Sequence, residues 1–316
     1  MHFRNDDARA HAQDAGTKGL NFVWEIAASL ISGVIIVDFP EFRLGIGQML
    51  VEGGRIKENL RRAERMVSKA SQEKCQVIVL PECLDVGWTH PSAHEFAKEI
   101  PGEISDRLCK VAGRNSIMIV AGLTECEDSG LYNSALLIDQ SGEILLKHRK
   151  INVLNIAQEL YDIGKTLSVV ETRIGTIGVN ICADNFRSSH AIGHVLARMG
   201  AHFIFSPSAW AVGPDQNRPY GKEWREWTRS YSELSRLYGI AIVGVSNVGR
   251  IEAGPWKGKK VIGGSLAMGQ DGEALAKGPY GHNAEALITL KLQARPRKVK
   301  GTNYAAYLEE KGYEGP

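Results

Sequence analysis

Three strand-like runs in this chain each end on a residue that can do acid, base or nucleophilic chemistry. Val77-Ile-Val-Leu-Pro81-Glu82 ends on a carboxylate and Leu145-Leu-Lys147-His-Arg-Lys150 on an amine. Ile174-Gly-Thr-Ile-Gly-Val-Asn-Ile-Cys182 ends on a thiol. A thiolate is a strong nucleophile once a neighbouring base takes its proton. A partly desolvated carboxylate has its pKa raised toward neutrality, which suits it to accept that proton. A fixed ammonium beside the sulfur stabilises both the thiolate and a tetrahedral oxyanion. Gly175 and Gly178 let neighbouring backbone come close, and the small Ala183 leaves its N–H accessible as an oxyanion donor. Together the three groups could cut a carbon–nitrogen bond.

Each residue alone has an ordinary reading. Cys182 is then a buried core thiol, as Cys75, Cys83, Cys109 and Cys126 are read to be. Glu82 is a loop charge and Lys150 a solvated strand end. The rival chemistry is that of a metal-dependent hydrolase. His190 and His194 stand four apart on an expected helix, and Cys182 or Asp184 could complete a ligand set. His190-Ala-Ile-Gly-His194 lacks the glutamate of the metalloprotease signature. No glycine cluster has phosphate-loop spacing, so nucleotide binding is disfavoured, and a purely structural scaffold would show a broken triad.

The elements that must position these residues read as an α/β layered domain. Short apolar runs at 76–80, 117–121, 201–205 and 240–245 predict buried strands. Helical spacing of Ile56, Leu60, Ala63, Val67 and Ala70, and the stretches 105–114, 188–199 and 223–238, alternate with them. Turn-rich links at 139–142 and 271–272 predict hairpins. Such alternation gives a mixed sheet covered by helices, in one catalytic domain spanning 42–292. Residues 1–41 read as an extension of unknown role. Their apolar stretch Ile26–Val37 falls short of the roughly 18 residues that span a bilayer. Residues 293–316, basic and then tyrosine-containing, read as a tail that could pack across a partner subunit.

Bulk numbers agree. The chain has 316 residues, 43% of them hydrophobic and 23% charged, which disfavours disorder. A net charge of +2 gives no reason to expect nucleic acid or a membrane as partner. Five cysteines, an odd number, do not form a disulfide framework and favour a reducing, cytoplasmic setting.

In order and spacing, Pro81-Glu82, Arg149-Lys150 and the Cys182 segment resemble the Glu–Lys–Cys triad of the nitrilase superfamily of carbon–nitrogen hydrolases. Tyr132-Asn133-Ser134-Ala135, Glu159 with Gly164, Ser206-Pro-Ser-Ala-Trp210 and Ala241-Ile-Val-Gly-Val-Ser-Asn247 support the resemblance, which runs from about residue 43 to 292. It implies a four-layer α-β-β-α sandwich, homodimeric or larger, acting without cofactor or metal. It implies Glu82 as general base, Lys150 as oxyanion-stabilising cation and Cys182 as nucleophile, with Glu159 orienting the lysine. Lys147 is the fallback for Lys150 if the register differs. Ala183-Asp184 after the cysteine, rather than an aromatic residue and Glu, points to a linear amide or N-carbamoyl substrate over a nitrile. Nitrile hydrolysis by the same triad is the alternative. Trp88, Tyr132, Ala183 and Trp210 adjoin the triad segments and are the expected substrate-binding residues.

Overall fold

The computed structural model describes residues 39–216, 219–296, 299 and 301–315. The expected extension therefore lies, up to residue 38, outside the described residues. One six-stranded sheet is built from β1 (Phe42–Gln48), β2 (Val77–Val79), β3 (Met118–Glu127), β4 (Gly130–Ile138), β5 (Ile144–Arg149) and the last strand β15 (Ala286–Leu292), in the order β15-β1-β2-β3-β4-β5. The second contains β6 (Val169–Thr172), β7 (Gly175–Val179), β8 (Phe203–Ser208), β10 (Ala241–Ser246), β13 (Leu266–Met268) and β14 (Ala274–Lys277), in the order β14-β13-β10-β8-β7-β6. A small third sheet joins β9 (Ala211–Val212), β11 (Val248–Arg250) and β12 (Lys260–Ile262).

Alternation along each strand sorts its side chains between two cores. Val77, Val79, Val120 and Leu137 of the first sheet meet Phe203, Phe205, Val243 and Val245 of the second, all buried. Ile78, Leu80, Ile119 and Ala121 point the other way, onto α1 (Ile56–Gln72) and α3 (Glu103–Asn115), while α2 is the single turn Ala93–Phe96. Helix α1 packs there because Leu60, Ala63, Val67 and Ala70 recur at three- and four-residue spacing on one buried stripe. Beyond the second sheet, Ile204 and Ile242 pack under α4 (His190–Arg198) and α5 (Lys222–Tyr238). This is the four-layer α-β-β-α sandwich expected from the sequence. The closing helix α6 (Tyr304–Glu310) buries Tyr304 and Leu308 in that same outer core, so this part of the tail packs on its own chain.

The sequence reading ends β8 at Phe205, before Ser206-Pro207, whereas the strand continues to Ser208. Its partner β7 leaves the sheet at Val179, paired with Phe205, while β10 stays alongside to Ser246. Pro207 therefore lies where β8 is paired on one side only, and its missing N–H costs no ladder bond. The space that β7 vacates is taken by the turn carrying Cys182.

One glycine couples this scaffold to the acidic residue. A Cβ at Gly122 of β3 would stand 2.6 Å from Glu82 Cα and 2.8 Å from the Pro81 oxygen. Only a residue without a side chain lets β3 lie against the Glu82 turn, where Leu84 N donates to Gly122 O at 2.9 Å and Gly122 N to Pro81 O at 3.0 Å. Gly122→Ala is expected to cost about 1–3 kcal/mol by overpacking. An unchanged urea midpoint in that variant would show that the backbone contact is slack.

Candidate active site

Glu82 follows β2 and lies 1% exposed. Its N–H donates to Ser208 O at 3.3 Å, tying it to the extended end of β8. Three residues on, the buried Asp85 accepts Thr124 N through both carboxylate oxygens, at 3.0 and 3.1 Å, which pins the same loop to β3. Glu82 Oε1 accepts hydrogen bonds from Lys150 Nζ and from Asn133 Nδ2, both at 2.6 Å. Oε2 has no hydrogen-bond partner among the described residues.

Lys150 follows β5 and is 2% exposed. Its backbone is clamped on both sides: its N–H donates to Asn133 O at 2.8 Å, and its carbonyl accepts Gly164 N at 2.8 Å. A Cβ at Gly164 would fall 2.0 Å from the Arg149 oxygen, so this clamp requires glycine. Burial by itself would lower the Lys150 pKa, but the charge of Glu82, the hydrogen bond to it and the charge of Asp184 raise the value. Lys150 is accordingly held as an ammonium.

Cys182 opens a 3₁₀ turn, Cys182–Asn185, with a backbone φ of +45°. A side chain in this left-handed region is strained and persists only where surroundings hold it. Here Cys182 N donates to Ser206 Oγ at 3.1 Å, and Asn185 Nδ2 reaches the same oxygen at 2.8 Å. The Ala209 N–H faces the sulfur. Burial foremost, then the Glu82 charge, push the thiol up to about 12, partly opposed by Lys150. The resting arrangement is thus a neutral thiol beside a carboxylate–ammonium pair.

Asp184 binds the two halves of this arrangement together. Its Oδ1 accepts Ile151 N at 3.2 Å and Asn152 N at 2.7 Å; Oδ2 accepts Ile181 N at 3.0 Å and His148 Nε2 at 2.9 Å. One carboxylate therefore touches both flanks of Lys150 and the residue before Cys182. Burial would raise its pKa, but hydrogen bonds from His148 and the Asn152 N–H, with the nearby positive charges, bring it below the usual carboxylate value.

The structure brings Glu82, Lys150 and Cys182 together and corrects several other expectations. Lys147 cannot replace Lys150. Period-two alternation puts it on the opposite face of β5, where its Nζ meets the buried Glu125 at 2.5 Å. Tyr132 is likewise on the far face of β4 from Asn133, with the Arg149 guanidinium 3.9 Å from its ring centroid. Glu159 is exposed on a turn and makes no contact with Lys150 among the described residues, because the loop after Asn155–Ala157 directs it to solvent. Trp210 is 1% exposed and stacks on Trp227 at 4.6 Å, so it is core rather than wall. Trp88 is also nearly buried, against Trp256 at 4.7 Å. Ala183 is buried within the turn, its carbonyl held by Asn152 Nδ2 at 2.7 Å, so its side chain forms no wall of the cleft. His190 Nε2 donates to Ser230 O at 3.1 Å while His194 Nδ1 pairs with the Tyr238 hydroxyl at 2.7 Å. The two histidines thus turn to different partners rather than to a common point.

The sequence does not single out Asn133, Ser206 or Ala209, although all three lie in segments that carry the resemblance. Alternation from the apolar Ala135 and Leu137 would have put Asn133 on the Glu82 face. The cleft walls also came from elsewhere. A cleft of about 730 Å³ is lined by Leu154, Phe186, Ala211, Val212, Trp227 and Trp256, with Arg187, Glu226 and Lys259 among its polar groups. Leu154, Phe186 and Ala211 lie a few residues beyond Lys150, Cys182 and Ala209, so the cleft opens beside the triad segments. Lys259 Nζ lies 3.5 Å from the Trp256 ring centroid and forms no ion pair among the described residues. No helix among the described residues is long and apolar enough to cross a membrane.

A four-layer sandwich carrying a buried carboxylate and ammonium and a partly buried thiol at adjoining strand ends defines the architecture of the thiol-dependent carbon–nitrogen hydrolases. The sequence profile of the carbon-nitrogen hydrolase family matches residues 43–300, and the chain belongs to that family. It is 33% identical over 186 residues to the Omega-amidase NIT2 of Xenopus tropicalis, a stretch covering 55% of this chain and 66% of that protein. The chain thus spans just under two thirds of that relative's length. The human Omega-amidase NIT2 is 26% identical over 248 residues, covering 75% of this chain and 84% of its own. Among solved structures, an amidase from Nesterenkonia sp. superposes with a TM-score of 0.67 at 19% identity, covering 82% of this chain and 93% of that one. A carbon-nitrogen hydrolase from Helicobacter pylori gives 0.70 at 19% identity, over 80% and 89%. At those identities the likeness is one of fold.

The electrostatics carry a signed expectation. Glu82→Gln removes the negative charge that raises the thiol and leaves Lys150 unneutralised. The pH midpoint for iodoacetamide alkylation of Cys182 should therefore move down by about one unit or more. A midpoint that rises or stays put would show that Glu82 does not control the sulfur.

Proposed function

We propose that this chain is a thiol hydrolase that cleaves a linear, non-peptide amide, with Glu82, Lys150 and Cys182 as its catalytic residues. The observation that carries the reading is the buried Lys150–Glu82 pair, 2.6 Å apart, against a thiol that burial keeps protonated. A thiol with a raised pKa needs a base at the moment of attack, and Glu82 is the carboxylate against it. The sulfur attacks the amide carbon as its proton passes to Glu82. Charge developing on the carbonyl oxygen is met by the Lys150 ammonium and the Ala183 N–H. The carbon–nitrogen bond then breaks, Glu82 returns the proton to the leaving nitrogen, and ammonia or an amine departs from a thioester. Water gives a proton to Glu82 and its oxygen attacks the thioester. The acid leaves and the thiol is reprotonated.

The frog and human relatives carry the name omega-amidase, which favours a primary amide at the end of a substrate chain over an N-carbamoyl group or a nitrile. The cleft supports a finer reading. Aromatic walls suit an apolar linker, and Lys259 offers an uncompensated cation, with its own pKa lowered by desolvation. Arg187 is less available, standing 3.9 Å from Glu233. An amide with a distal anionic group is the substrate these features fit. Exposed Val195 on α4 and Met199 just after its end, 42% and 44% accessible, support pairing with a second copy of the chain. The five free thiols favour a reducing compartment such as the cytoplasm.

A panel of primary amides, N-carbamoyl compounds and nitriles scored for ammonia release tests the reaction. Cys182→Ala should abolish turnover while the chain still folds, and Lys150→Met should reduce it by about 10³-fold, against little change for Lys147→Met. A Cys182→Ala protein that still releases ammonia would end the mechanism. For specificity, Lys259→Met should raise KM about tenfold, or ~1.4 kcal/mol, for an amide with a terminal carboxylate and leave a neutral amide of equal length unaffected. Equal changes for both would assign Lys259 no part in selection.

A further inference from the structure

The outer face of β8 carries polar residues where a hydrophobic layer would be expected. Ser206 and Ser208 point away from the inter-sheet core toward α5, and both are wholly buried. Tyr231 of α5 enters the same space. Its ring packs edge-on near Trp210, with centroids 6.3 Å apart, and its hydroxyl lies over β10. A Cβ at Gly244 would stand only 2.3 Å from that oxygen, so β10 needs glycine there for the hydroxyl to fit. Gly244 pairs in register with Ser206 of β8, so the hydroxyl lies on the Ser206 side of the sheet, with Ser208 and Cys182 near enough to act on it electrostatically. Yet Tyr231 is 1% exposed, and its hydroxyl has no hydrogen-bond partner among the described residues.

A buried hydroxyl left unpaired is costly, because water satisfied it in the unfolded chain. A fold retains such a group where another state of the molecule gives it a partner. Ser206 supplies the reason here. Its oxygen already accepts Cys182 N at 3.1 Å and Asn185 Nδ2 at 2.8 Å, which occupies both lone pairs and leaves only its hydrogen to place. Ser208 is engaged through its own hydrogen, donated to Ser206 O at 3.2 Å, so its oxygen can still accept. The Tyr231 oxygen is placed to take the Ser206 hydrogen, and its own hydrogen to reach Ser208.

We propose that Tyr231 is a positioning residue for Cys182, whose hydroxyl closes on Ser206 and Ser208 as the sulfur takes up negative charge. Ser206 is then polarised from behind and grips the Cys182 N–H more firmly. The strained left-handed turn keeps the sulfur aimed at the carbonyl carbon through attack. Tyr231 touches no substrate. It acts through Ser206, and the inference rests on Cys182 being the nucleophile.

The test uses the full chain as wild type, Tyr231→Phe, Ser206→Ala and the double variant. Three quantities are read: Cys182 alkylation by iodoacetamide, followed by peptide mass spectrometry; kcat and KM on a hydrolysed primary amide; and thermal midpoint. Tyr231→Phe keeps the ring, so the expected result is an unchanged or higher midpoint. Alkylation and kcat should each fall by about tenfold at constant KM, as for loss of one hydrogen bond in the transition state. The double variant should be no slower than Ser206→Ala alone. A higher midpoint with wild-type alkylation and kcat would mark the hydroxyl as idle and overturn the proposal, as would losses that multiply in the double variant. Failure of the nucleophile reading is visible separately. If wild-type Cys182 reacts no faster than the other four cysteines and Cys182→Ala retains turnover, both inferences fall. If wild type behaves as a thiol enzyme and only Tyr231→Phe is silent, this one falls alone.

Discussion

An ammonium and a carboxylate sit 2.6 Å apart at the meeting point of the two sheets, 2% and 1% exposed, with a protonated thiol against them. Taking either charge alone out of water would cost several kcal/mol, and the pair contributes little to stability even when well made. The arrangement is tolerable because Asn133 also satisfies the shared carboxylate oxygen and because neither backbone can shift. Asn133 O and Gly164 N clamp Lys150 from both sides, and Ser208 O and Gly122 hold the Glu82 turn. Much of the loop geometry around the site can be understood as support for this one ion pair.

The support converges on two places. Asp184 spends both oxygens on the Lys150 flank and the Cys182 turn, so the cation and the sulfur move as one body. The end of β8 does the same for the acid and the sulfur: Ser208 O holds Glu82 N, Ser206 Oγ holds Cys182 N, and Ala209 N–H faces the thiol. Backbone strain is present at the same points. Cys182 and Cys83, the residue after Glu82, both adopt positive φ, at +45° and +43°. A scaffold that fixes its reacting groups to within a fraction of an ångström must hold them in such conformations, and the hydrogen bonds just named make that possible.

Specificity has a different origin. The cleft walls come from segments after Lys150 and Cys182, from β9, from α5 and from the loop around Trp256. Pieces from Leu154 onward thus surround a centre whose carboxylate and ammonium come from earlier in the chain. This division separates the ion pair and thiol from the cleft walls, because loop side chains can change without disturbing the strand ends.

The amino-acid sequence alone determined the layered α/β architecture and the order of acid, amine and thiol, because both are local. Runs such as 77–80 and 240–245 are buried on both faces and read directly as strands, and the acid, the amine and the thiol each follow a strand. Alternation in β5 could also have separated Lys150 from Lys147, since residues two apart share a face. Tertiary structure alone decided the rest. Glu159 lies near Lys150 in sequence but faces solvent. Trp210 adjoins the Ala209 N–H yet is buried against Trp227, while Trp256, remote in sequence, reaches the cleft. Asp184 became a bridge between two segments only when the sheets brought residues 148–152 against it. Proximity along a chain predicts neighbours within one strand or turn; which side chain meets which across layers depends on packing and loop direction, which no single segment encodes.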